Sequence, residues 1–471
     1  MKHAQLIAPA VLALLLAGCA TSTPPAAPNA PGAAEQPGWW TQLHDPAIDA
    51  LSQAALNDSP TLAQALARMD ETGAALGNAE AQRLPTVGAS AGATRARSLN
   101  TSGTGALTTV GSTASIGPNL SWELDLFGRL RHSRESASYR LDARTSDAMG
   151  ARLTLTADIA DNVLQLRACE STRRVLAADI ESRETTLALT RRRLETGFVA
   201  PVDEARAVSG LAAVRINLET QTEQCARQLN ALVALSGLPA DEVRSLLAAP
   251  LPSTAQGSTE AFMPDAPAVQ PRLSAMVLAN HPSVLAAARD ADAAQADIAV
   301  ARADRLPRLN LVALLSGQWL NAAGSTLHAA TWSVGPSLAG KIFDGGAGAA
   351  NVSAAEARWR GAQAALQVAL RTASRDTENA LAAAASADAR RATARQSVDA
   401  ARSVLAALQA QWPAGAVSLF ELEDARRQYA SAQDNAIVAA RDRALAWVAL
   451  VRAAGQAPTA STLTSELTAI R

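Results

Sequence analysis

The sequence predicts a mainly α-helical chain, duplicated in tandem, whose four amphipathic β-strands can close a membrane barrel only together with other chains. Three observations predict this. Two long stretches are free of proline and the first carries coiled-coil periodicity, several segments alternate with a period of two, and an internal repeat keeps its register over more than a hundred residues.

The repeat orders the rest. Ser59-Pro60 aligns with His281-Pro282, and Gln82-Arg83-Leu84-Pro85 with Asp304-Arg305-Leu306-Pro307, at an offset of 222 residues. Downstream the offset is 218: Ile116-Gly117-Pro118 aligns with Val334-Gly335-Pro336, Gly197 with Gly415, Asp203 with Glu421, and Ala231-Leu232-Val233 with Ala449-Leu450-Val451. The slip falls between Pro85 and Gly117, where a loop is expected.

Each copy begins with a helix, Thr61 to Gln82 and Ser283 to Asp304, started by Pro60 and Pro282 and ended by Arg-Leu-Pro. Strand pairs follow. Ile116, Pro118, Leu120, Trp122, Leu124 and Leu126 share one face, opposite Ser115, Asn119, Ser121, Glu123 and Asp125. In the second copy Trp332, Val334, Pro336, Leu338 and Ile342 oppose Thr331, Ser333, Ser337 and Lys341. The preceding segments, Val87 to Ser98 and Arg308 to Trp319, alternate less cleanly, and Gly- and Thr-rich connections (Asn100 to Gly111, Asn321 to His328) complete two hairpins. Four strands cannot close a barrel alone, since the smallest single-chain barrels use about eight. With an apolar face toward lipid and a polar face toward water, three chains would supply twelve.

The proline-free stretch from Leu130 to Glu195 is a helix of about 100 Å at 1.5 Å per residue. Ile159, Val163, Leu166, Ile180, Leu187 and Leu194 recur at sevens and fours as a coiled-coil seam. It turns at Thr196-Gly197-Phe198 and returns to about Ser236; the second copy turns at Pro413-Ala414-Gly415. Glycine there allows the positive φ that ends a helix. Cys169 and Cys225 lie equally far from Gly197, so antiparallel helices bring them level, and a disulfide is expected in an oxidising compartment.

Residues 1–18 read as a signal peptide: Lys2 and His3 precede an apolar run from Leu6 to Ala17, too short to span a bilayer. The Leu16-Ala17-Gly18-Cys19 ending resembles a bacterial lipobox, which makes Cys19 the lipid attachment site. Residues 19–38 form a Pro- and Ala-rich tether, 39–237 the first repeat, 238–272 a linker, 273–456 the second repeat and 457–471 a tail. Beyond residue 20 no run of eighteen apolar residues occurs, so any membrane crossing falls to the strands. Hydrophobic residues make up 48% but aromatics only 3%, which suits thin, closely packed helices. A net charge of -1 and the lack of a basic tract argue against nucleic acid.

Several stretches resemble the TolC-like outer-membrane efflux proteins, and among them the lipid-anchored NodT/OprM subgroup. Pro37-Gly38-Trp39-Trp40 with His44-Asp45-Pro46 is similar to the subgroup's N-terminal signature. Ser121-Trp-Glu-Leu-Asp-Leu-Phe-Gly-Arg129 resembles its strand-to-helix corner, and Ile342-Phe-Asp-Gly-Gly346 the corner of the second repeat. The resemblance runs from Cys19 to about Gly455. It implies a homotrimer with a twelve-stranded barrel in outer-membrane lipid and a long α-barrel across the periplasm. It also implies a periplasmic adaptor (membrane fusion) protein and an inner-membrane transporter of the resistance-nodulation-division (RND) class as partners.

The resemblance places the helical turns, with Gly197, Phe198, Gly415 and Ala416, at a periplasmic tip where the adaptor docks. It places Asp203, Glu421 and Asp424 at the pore constriction, with Trp412 taking part in closing the gate. Three copies of Glu421 and Asp424 would favour cations there. Pro413, and Val417 where arginine is common, depart from the family pattern. The expected function is passive conduction for an efflux pump, with no cofactor; the rival is a lipid-anchored periplasmic coiled-coil structural or adaptor protein.

No catalytic constellation stands beside these features. Gly88-Ala-Ser90-Ala-Gly92 fits G-x-S-x-G but sits inside a strand with no triad partner, Phe343 to Ala349 lacks the Gly-Lys-Ser/Thr ending of a phosphate loop, and the five histidines show no ligand spacing.

Overall fold

A computed structural model describes residues 38–102, 105–249, 263–267, 280–322 and 325–455. The signal segment, Cys19, the tether to residue 37, most of the linker and the tail lie outside the described residues.

After a 3₁₀ turn at Trp39–Leu43 come α1 (Pro46–Asp58) and α2 (Pro60–Ala81), then β1 (Thr86–Ser102) and β2 (Gly105–Leu124). The long helix α3 (Arg129–Glu195) and the returning α4 (Pro201–Ser236) complete the first copy, and a short α5 (Ala240–Leu247) stands in the expected linker. The second copy runs α6 (Pro282–Ala303), β3 (Arg308–Ala322), β4 (Ser325–Ala339), α7 (Ala347–Gln411), a 3₁₀ turn at Trp412–Ala414, and α8 (Leu419–Ala454).

The duplication reaches the backbone. Positive φ recurs at glycines 218 residues apart: Gly128 and Gly346 (75° and 91°), Gly197 and Gly415 (75° and 73°), Gly237 and Gly455 (73° and 76°). Each pair starts or stops a corresponding helix in the left-handed region, which costs glycine nothing. At the other ends Pro60 and Pro282 open helices behind caps: Ser59 Oγ accepts from the Leu62 N–H at 3.4 Å, and His281 Nδ1 from the Ser283 N–H at 3.3 Å.

All four strands form one antiparallel sheet in the order β1-β2-β3-β4. The ladder corrects two expectations. The Gly- and Thr-rich stretches expected as long connections are mostly strand, with pairing continuing to Ser102 and Gly105 in one hairpin and to Ala322 and Ser325 in the other. Each strand there can take its hydrogen bonds from its neighbour, and the β-branched threonines suit the pleat. Lys341, expected opposite the apolar face, lies beyond β4 in the corner that leads to α7. The β2–β3 pairing skips Gly117 and Pro118. Proline has no N–H to give, and a Cβ on Gly117 would stand 1.8 Å from the Leu315 carbonyl oxygen.

The helices follow the order of the strands they carry: α2 packs on α3, α3 on α6, and α6 on α7. The largest apolar core lies further along the shaft, where α1, α3, α4, α5 and α8 converge. There Leu43, Ile48 and Leu51 meet Ile159, Val163 and Leu164, Leu232, and Trp447, Val448 and Val451. The Trp39 indole donates to Thr156 Oγ1 at 3.1 Å and lies 5.7 Å from the Trp447 ring. Asp45 caps α1 through the Ala47 N–H and also receives two guanidinium N–H groups of Arg167 at 2.6 and 2.7 Å, with both side chains buried. An ion pair so enclosed holds only with its hydrogen bonds satisfied, and these are.

Candidate functional site: the helical tip and the membrane sheet

At the end of the shaft remote from the sheet, the turns after α3 and after α7 lie side by side. The Arg193 guanidinium lies 4.5 Å from the centre of the Trp412 ring and donates to the Trp412 and Pro413 carbonyls at 3.4 and 3.0 Å. A cation over an indole face that also fills two turn carbonyls joins the tips of the two copies. Trp412 is correspondingly buried. Gly197 and Gly415 open onto empty space, and Phe198 is 81% exposed. Ala416 is exposed and donates its N–H to the Gln411 carbonyl.

Asp203 and Glu421 lie in the first turns of α4 and α8, and Asp424 lies one turn further along α8. Asp203 sits 3.6 Å from Arg206, and Asp424 pairs with Arg427 and accepts from Gln428 at 2.5 Å. Glu421 closes a capping box: its Oε2 accepts from the Ser418 N–H and hydroxyl at 2.7 and 2.9 Å, while Ser418 Oγ accepts the Glu421 N–H at 3.2 Å. The backbone N–H comes first among the causes, the hydroxyl second, and together they hold the Glu421 carboxyl below its ordinary range. It remains charged wherever a free glutamate would.

Sequence reasoning missed the group just inside this turn. Glu423 pairs with Arg183 of α3 and with Arg426 at 2.9 Å; Arg183 also reaches Asp179 at 2.9 Å, and Arg426 reaches Thr186 Oγ1 at 2.5 Å. Both arginine side chains are nearly buried. Gly210 of α4 makes room for the cluster, since a Cβ there would meet Arg183 Nη1 at 3.0 Å. The run Glu421-Leu-Glu-Asp424 offers three acids, and only the position of the nearly buried Arg183 on α3 and Arg426 one turn on marks Glu423 as the one that enters the cluster.

Halfway along, Cys169 and Cys225 form a disulfide between α3 and α4 with Cα atoms 5.6 Å apart. Among the described residues no His, Cys, Asp and Glu cluster could hold a metal, and no helix is long and apolar enough to cross a membrane.

The sheet presents the opposite surface. Along its rows Leu124, Leu309 and Leu338 are neighbours, as are Leu120, Ala313 and Val334, and Leu315 and Trp332. On this face Val87, Ile116, Trp332, Val334 and Leu338 are all more than half exposed in the single chain. The other face carries Thr86, Ser90, Thr113, Asn119, Ser121, Glu123, Asn310 and Gln318, with Val312, Leu314, Leu320 and Leu327 as apolar exceptions. At its foot Glu123 receives Arg129 at 2.8 and 2.9 Å, tying β2 to α3.

A one-chain sheet with an exposed apolar face, on a helical shaft of about 100 Å, defines an outer-membrane channel subunit of the TolC type. The outer membrane efflux protein family matches residues 51–238 and again 273–456, and the chain belongs to it. It is 30% identical to the pyoverdine export outer membrane protein OpmQ of Pseudomonas putida, over 94% of this chain and 96% of that one. Nodulation protein T of Rhizobium leguminosarum is 28% identical, over 92% and 89%. Among solved structures, the outer-membrane channel OprN superposes with a TM-score of 0.79 at 25% identity, covering 89% of this chain and 92% of that one. The protein is therefore an outer-membrane efflux channel, not an enzyme.

Proposed function

We propose that three copies of this chain close one channel, anchored by lipid at Cys19. It would conduct passively what an inner-membrane RND-type transporter delivers through a periplasmic adaptor. The observation that carries this is the open sheet. Its strand order leaves β1 and β4 unpaired at the two edges, and the helices below run in the same order, from α2 to α7. The free edge of one copy thus matches the opposite edge of the next, a head-to-tail contact that closes as a ring. The difference between α2 and α6 supports the same reading. Repeat-related α6 buries residues against helices on both sides, whereas α2 buries only Ala79 and leaves its other side exposed for a neighbouring copy's α7.

In this ring the polar sheet face lines the pore and the tip narrows it. Glu421 and Asp424, three of each, form the constriction with Asp203. Trp412, held under Arg193, fixes the turn from which they project, and Gly197, Phe198, Gly415 and Ala416 meet the adaptor. Detergent-extracted protein should migrate on a gel as a heat-sensitive trimer; a monomer at every temperature would overturn the ring. In planar bilayers E421A/D424A should raise conductance and lower cation preference. Wild-type values for both would remove these residues from the constriction.

A further inference from the structure

The face read as lipid-facing does not stay apolar to its end. From the row of Leu124, Leu309 and Leu338 to the row of Ala93, Ala114, Trp319 and His328 is ten residues along β2. At about 3.3 Å per residue and a tilt of about 40° this is a height of about 25 Å, that of the apolar band of outer-membrane barrels. Trp319 and His328 close the band edge-to-face, their ring centres 6.5 Å apart. In the next row Arg95, Ser112, Asn321 and Thr326 stand side by side, and Arg97 follows on the same face beside Val110. A pocket of about 370 Å³ opens at this row, walled by Arg95, Ser112, Trp319, Asn321 and Thr326 among others.

The two arginines are exposed, and neither makes an ion pair among the described residues. No Asp or Glu occurs from residue 86 to 122 or from 308 to 339, so the sheet offers them no counter-charge at this height. A cation just outside the hydrocarbon band lies at the level of the outer headgroups, where a guanidinium is matched bidentately by phosphate. Asn321 Nδ2 donates to Thr326 Oγ1 at 3.2 Å and adds further polar groups to the same row.

We propose that Arg95 and Arg97, with the Ser112–Asn321–Thr326 row, bind the phosphates of a phosphorylated glycolipid of the outer leaflet, lipid A in class. Three such sites would girdle the channel. The proposal rests on the outward reading of the apolar face, and the test separates the two. Native mass spectrometry of the full-length trimer would count bound diphosphoryl lipid A, its dephosphorylated form and inorganic phosphate, with bilayer conductance measured on the same samples. Wild type should retain the diphosphoryl lipid, bind the dephosphorylated form about tenfold more weakly or worse, and release neither to millimolar phosphate. R95Q/R97Q should lose a comparable factor, and R95K/R97K less. Equal retention of the two lipids by wild type, equal affinity in R95Q/R97Q, or displacement by inorganic phosphate would each overturn the proposal while conductance stands. Absent conductance would overturn the barrel reading itself.

Discussion

The two helical hairpins descend from one sequence and trace the same path, yet they are held by different means. α3 and α4 are joined covalently by Cys169–Cys225, with exposed Arg191–Glu204 and Arg215–Glu184 pairs nearer the tip. α7 and α8 have no cysteine; alanines and Val398 fill their seam, and Arg390–Asp442 and Arg443–Asp388 lie on its surface. α8 is also bound sideways to the other copy. Thr172 donates to Asp434 at 2.9 Å, Arg183 meets Glu423, and Arg452 reaches Asp158 and Asp161 at 2.6 and 3.1 Å. The buried residues of α8 run almost its whole length, whereas those of α4 are few and scattered. One hairpin is thus locked to itself and the other to its neighbour, which suits a fixed half and a half whose tip can shift when its cross-repeat contacts release.

The largest expected break of this contrast is C169S/C225S. The disulfide spans 56 residues, and the chain-entropy estimate for such a loop is about 4 kcal/mol. Hydrogen exchange should accelerate across residues 201–236 and stay unchanged across 419–454; equal acceleration of both would show that the disulfide does not confine its effect to the first hairpin. Next is E423A, which leaves the nearly buried Arg183 with Asp179 alone and Arg426 with Thr186 alone and should cost about 2 kcal/mol. It should lower the midpoint of thermal unfolding and raise conductance by loosening α8 from α3. A midpoint equal to wild type would mean that the cluster does not hold the copies together.

The smallest effect concerns pH. Burial is the main reason that the Asp161 carboxyl rises from 3.8 to about 6; Asp158 adds to the rise and Arg452 opposes it. The folded chain keeps this proton to higher pH than the unfolded chain, so this group's contribution to stability falls as pH climbs from about 4 to 6. The change is on the order of 1 kcal/mol, given the partial exposure of the site. D161N should flatten that part of the stability profile. A slope unchanged from wild type would assign the pH response to other groups.

Much of the architecture was legible in the chain. Glycines and prolines declared where helices begin and end, because their φ restrictions act locally: Pro60, Pro282, Gly197 and Gly415 all stand at the termini expected of them. The hairpin geometry placed Cys169 level with Cys225 for the same reason, since equal helix lengths from one turn leave little freedom. The strand lengths were harder to read. Thr- and Gly-rich segments alternate weakly, and their pairing depends on a partner strand whose position no local pattern reveals. Glu421 illustrates a mixed outcome, for the residue was visible as a repeat counterpart of Asp203 but not as half of a capping box with Ser418.

Helix and strand identity, the duplication and the face polarity of the sheet follow from spacing along the backbone, where the relevant forces reach only a few residues. Which of three nearby acids would meet Arg183, which repeat α8 would be fastened to, and the opposition of Arg95 to Ser112 and Asn321 depend on groups more than a dozen and up to about 290 residues apart meeting in space. Such contacts are set by the packing of whole elements. A carboxylate beside Leu422 becomes the partner of Arg183 only once α3 and α8 lie together.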